Sequence, residues 1–74
     1  MKIRPNQIWI DRESPQLALR IVSWSESTGG WAVLFGRMRS GAFEAAFDSN
    51  TVLPEKTLRA LYELGWPHAV ESAA

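Results

Sequence analysis

Leu17-Ala18-Leu19-Arg20-Ile21-Val22-Ser23-Trp24, then Ser25-Glu26-Ser27-Thr28-Gly29-Gly30, then Trp31-Ala32-Val33-Leu34-Phe35-Gly36, is the stretch that decides the fold. The first run alternates with period two, with Leu17, Leu19 and Ile21 on one face and Ala18, Arg20, Val22 and Trp24 on the other. A polar hexapeptide ending in two glycines follows, and glycine takes the positive φ that a tight turn demands. The third run is apolar on both faces, as a central strand would be. The expected unit is a β-hairpin.

Working outward, Gln7 to Asp11 reads as a first strand, started after Pro5-Asn6 and stopped before Ser14-Pro15. On the other side Arg37 to Gly41 reads as a basic turn, and Phe43 to Phe47 as a fourth strand with Phe43, Ala45 and Phe47 inward. A short helix competes for 43–47 because its alanines lower β propensity. Asp48 to Thr51 breaks the pattern, and Val52-Leu53 adds a brief fifth strand. The period then changes. Pro54 suits a first helical turn, Glu55 favours its positive end, and Leu58, Leu61 and Tyr62 recur at spacings of three and four. This predicts an amphipathic helix over Glu55 to Leu64, stopped by Gly65 and Trp66-Pro67. The expectation is therefore a mainly β chain: a small antiparallel SH3-like barrel of four to five short strands with one short C-terminal α-helix.

Seventy-four residues supply one core, so residues 1–67 are expected to form a single small β-rich domain and 68–74 a frayed C-terminal tail. There is no cysteine, hence no disulfide framework and no thiolate metal site, which fits a cytoplasmic location. The chain has neither a signal-peptide pattern nor an apolar run near the length of a membrane span. Eight basic and eight acidic residues cancel. They are segregated, with six basic against three acidic residues over 1–40 and two against five over 41–74.

Arg4-Pro5-Asn6-Gln7-Ile8-Trp9-Ile10-Asp11-Arg12, Leu19-Arg20-Ile21-Val22 and Trp31-Ala32-Val33-Leu34 together resemble small SH3-like proteins of unknown function from bacteria and their phages. The resemblance covers the first half of the chain and is not matched by the segment from Glu55 to Leu64. It implies the barrel fold and a non-enzymatic role, including that of a phage-type modulator or inhibitor of a host protein complex.

The residues themselves point away from catalysis and cofactors. The single histidine, His68, lies past the helix stop, with no nucleophile elbow to serve. Gly29-Gly30 joins two strands and does not precede the Lys-Ser or Lys-Thr of a phosphate loop. One His without Cys gives no metal-ligand set. What remains is arginine with tryptophan. If Leu17, Leu19 and Ile21 fill the core, then Trp9, Arg20, Val22 and Trp24 share an outer surface, and Trp and Arg are the residues that anchor protein interfaces. The expected function is a non-catalytic protein-interaction module. The alternative is a nucleic-acid-binding barrel using Arg20, Arg37 and Arg39 with a stacking tryptophan. A third expectation is self-association that buries the surplus aromatics.

Overall fold

The computed structural model describes residues 2–66, apart from the side chains of residues 47–49 and 66. The expected tail at 68–74, with His68, lies outside the described residues. Five strands, β1 (Ile8–Asp11), β2 (Leu17–Ser25), β3 (Gly30–Arg39), β4 (Ala42–Leu53) and β5 (Tyr62–Trp66), form one antiparallel sheet in the order β4-β3-β2-β1-β5. Among the described residues one helix, α1 (Glu55–Leu61), lies between the two edge strands in sequence. The SH3-like arrangement is present as an open, curled sheet, and α1 rather than a ladder of hydrogen bonds joins β4 to β5.

The core lies on the inner face. Trp9 from β1, Leu19 and Ile21 from β2, Val33 from β3, Leu58 from α1 and Ile3 from the leading segment pack together. Phe35 and Trp31 of β3, Leu53 of β4 and Tyr62 and Leu64 of β5 close around them, so both sheet edges touch the same core. Leu58 is the keystone of the seam. It is fully buried, and removing such a side chain from water contributes about 1.5–3 kcal/mol.

The polar groups around Trp9 are satisfied. Gln7, itself buried, accepts at Oε1 from the Trp9 indole Nε1 at 3.1 Å and from the Arg4 amide at 2.9 Å. Its Nε2 donates to the Lys2 carbonyl at 3.3 Å. One side chain thereby ties the leading segment to the central tryptophan.

Several expected boundaries need correction. The fourth strand covers 43–47 as expected but does not end at Phe47, since β4 runs unbroken to Leu53, so 48–51 is no break and Val52-Leu53 no separate strand. The reason is pairing with β3 across Ser40-Gly41, both at positive φ (53° and 79°) as a type I′ turn requires. Arg37-Met38-Arg39 accordingly belongs to β3 and not to the turn.

The helix stops at Leu61, where Tyr62 turns extended (φ −129°, ψ 160°) while its amide still donates to the Leu58 carbonyl. Tyr62 to Trp66 then pairs with β1, with Tyr62 and Leu64 inward and Glu63 exposed, a period-two pattern overlapping the helical one. Gly65 is not a helix cap. It sits at the bulge between β5 and β1, where a Cβ would collide with the Ile10 side chain.

Candidate interaction face and cleft

The geometry of the outer face follows from the ladder. Ile8, Arg20, Leu34 and Asn50 form one cross-strand row, and Ser23, Ala32 and Val52 the next. Residues in register share a face, so these rows, with Val22 beside them, make one continuous surface on the side away from the core. An antiparallel sheet that faces water ordinarily carries polar side chains there. Beside exposed Ser23 and Asn50, this one presents Val22 at 45% and Val52 at 37% exposure, with Ala32 and Leu34 half-buried between them.

A bulge decides what else belongs to it. Ile21 pairs with Val33, but Ser23 pairs with Ala32, leaving Val22 as the extra residue in β2. Beyond that point the alternation inverts. Trp24 therefore pairs with Trp31 on the inner side, packing against it edge-on with ring centroids 5.2 Å apart and planes at 72°. It sits at the open end of the core and keeps 44% exposure.

The four residues expected to share a surface are thus divided. Trp9 does oppose Ile8 and Ile10, but it is Trp9 that faces inward, 3% exposed and against Leu19, because the sheet curls over it and α1 covers it. The Arg59 guanidinium lies 5.9 Å from its ring centre. Trp24 is turned to the inner side by the bulge. Only Arg20 and Val22 remain together on the outer face, joined there by Val52. Leu17, expected in the core, is 47% exposed because β2 and β3 extend beyond the curled part of the sheet.

The three arginines of the alternative reading do not converge either. Arg20 pairs with Leu34, three residues from Arg37, and so lies on the opposite face of the sheet from Arg37 and Arg39. Arg37 donates to Glu44 at 3.2 Å, and Arg39 lies 4.0 Å from the same carboxylate. Their charge is partly neutralised in place.

Beside the outer face the β3–β4 arm folds close. At Gly36 a Cβ would strike the Glu44 carbonyl and lie 2.7 Å from the Phe43 ring, so only glycine allows this approach. Between arm and sheet lies a cleft of about 590 Å³ lined by Asn6, Ile8, Arg20, Gly41, Ala42, Phe43 and Ala45. Ile8 and Ala18 are buried although they belong to the outer face. Arg20 Nε is also buried, and among the described residues it has no hydrogen-bond partner. No acidic side chain is among the described residues lining the cleft.

At the tryptophan end, Trp31 Nε1 is buried without a hydrogen bond in good geometry to any described residue. Arg59, donating to Glu55 at 2.9 Å, holds the Glu55 carboxyl below its ordinary pKa, and the nearby Trp31 indole adds to the effect. No group of three or more His, Cys, Asp or Glu among the described residues could hold a metal ion. No helix among them is long and apolar enough to cross a membrane. The arrangement can bind, through apolar contact and through the Arg20 guanidinium, which is unpaired among the described residues.

Comparison with protein-family models, curated proteins and solved structures finds no match to this chain.

Val52, Ile8, Asn6 and Phe43 were not among the sequence candidates. Read as one strand, 42–53 would have placed Asn50 and Val52 on a common face, and that was the available signal. The cleft had none, since it depends on the arm folding back.

Proposed function

We propose that the protein is a non-catalytic protein-interaction module working in the cytoplasm, and that its contact face is the outer face of β2–β4, centred on Arg20, Val22 and Val52. The observation that carries this reading is an outer sheet face that exposes Val22 and Val52 beside an arginine that makes no hydrogen bond or ion pair with the described residues. Folding gains nothing from exposed valines or from a buried, unsatisfied Nε–H, whereas a partner would cover the first and satisfy the second. A phage-type modulator of a host protein complex is one such module. The separation of Arg20 from Arg37 and Arg39 speaks against the nucleic-acid alternative, because a phosphate-tracking groove needs several cations on one surface.

The test is capture from host lysate on the immobilised protein, before and after nuclease, with wild type and a Val22→Ser/Val52→Ser variant of unchanged unfolding midpoint. The reading predicts proteins that survive nuclease and are lost with the double variant. Capture that ignores the two valines, or vanishes with nuclease, overturns it.

A further inference from the structure

We propose that the cleft between the outer face and the β3–β4 arm is a carboxylate-binding site, in which Arg20 receives an acidic side chain flanked by apolar residues of a partner peptide. The inference rests on the interaction reading above and deepens it. A guanidinium stays charged at any physiological pH and carries five N–H donors in a fixed fork. Arg20 has its Nε out of solvent, yet nothing among the described residues accepts from it. The other arginines around the sheet show the contrast: Arg12 meets Glu63, Arg37 meets Glu44 and Arg59 meets Glu55.

The cleft lies within the ordinary size range of ligand sites, and its walls combine apolar surface from Ile8, Ala42, Phe43 and Ala45 with the Asn6 amide. Asn6 is held there in the left-handed region (φ 72°), its backbone amide donating to the Ile21 carbonyl at 2.8 Å. One cation among apolar walls suits a singly charged planar carboxylate, which matches the guanidinium fork, better than a phosphate, which calls for several cations. Arg20 lies one row from Ser23–Ala32–Val52, so a peptide seated with its acid in the cleft continues over the exposed valines. That continuity selects a peptide side chain over a small free acid.

The experiment is a ¹⁵N NMR titration of the full chain with two blocked tripeptides, N-acetyl-Leu-Glu-Leu-amide and its Gln counterpart. The acidic peptide is expected to move the Arg20 Nε–H resonance and the Ile8 and Phe43 amides, and to bind about tenfold or more tightly than the neutral one. Arg20→Gln should abolish that preference, and Arg20→Lys, which keeps the charge and loses the fork, should retain only part of it. Equal binding of the two peptides, or an unchanged preference in Arg20→Gln, overturns the proposal. Tighter binding of N-acetyl-Leu-Gln-Leu with a free terminus than of the Glu amide overturns the choice of a side-chain acid. If the peptides fail while lysate capture still depends on Val22 and Val52, this inference falls alone. Loss of that dependence removes the interaction reading itself.

Discussion

Around Trp9 and around Arg20 the two faces of one sheet treat their polar and apolar groups in opposite ways. On the inner face at Trp9 the indole N–H reaches buried Gln7, whose remaining capacity serves Arg4 and Lys2, and the apolar side chains around it are closed off by Leu58. On the outer face, one register step away at Ile8–Arg20, the Nε–H has no acceptor among the described residues and the neighbouring valines stand in water. A buried donor left unmade costs about 1–3 kcal/mol, and exposed apolar surface forgoes its transfer free energy. The inner face is organised for folding. The outer face forgoes stability that binding can recover.

The comparison breaks first at Leu58. Leu58→Ala should lower stability by about 2–5 kcal/mol in urea unfolding, since it opens the seam between the sheet edges; a cost below about 1 kcal/mol would mean that α1 is a mere cover. Gln7→Ala should cost less, about 1–3 kcal/mol, by leaving the Trp9 indole N–H unpaired in the core.

Tyr62 sharpens the contrast through pH. Burial, followed by the Asp11 carboxylate, pushes its phenol above the ordinary value of 10. A raised value in the folded state means that the contribution is complete below the unfolded value and is lost as pH rises through the folded one. Alkaline unfolding beyond about pH 10 should therefore be less steep in Tyr62→Phe. The smallest effect belongs to the outer face, where Val22→Ser should stay within about 0.5 kcal/mol of wild type in the same urea experiment.

The sequence announced the inner face more clearly than the outer one. Alternation in 17–21 assigned Leu19 and Ile21 to the core, and the Ser25–Gly30 turn gave the hairpin. Alternation alone then carried Trp24 to the wrong side, because the extra residue at Val22 changes no local pattern. Asn6 and Gln7, bonding to the Ile21 backbone from a distant segment, help hold that place in β2. At Trp9 the period was right and the sign inverted, since two isoleucines and a tryptophan are equally apolar and only curvature chooses between them. The alanine-rich start of β4 has weak intrinsic preference, and its pairing with β3 settles it. Residues 62–66 satisfy helical and strand periods together, and the free edge of β1 decides. Of the candidate site, Arg20 and Val22 were legible, whereas Val52 and the cleft emerged only from register.

The most direct measurement is the urea unfolding midpoint of Arg20→Met, which keeps an unbranched apolar stem and removes the unpaired Nε–H. If the outer face is shaped for contact, stability should be unchanged or raised by up to about 1 kcal/mol. A fall of about 1 kcal/mol or more would show that Arg20 supports the fold, and would contradict its assignment to a binding face.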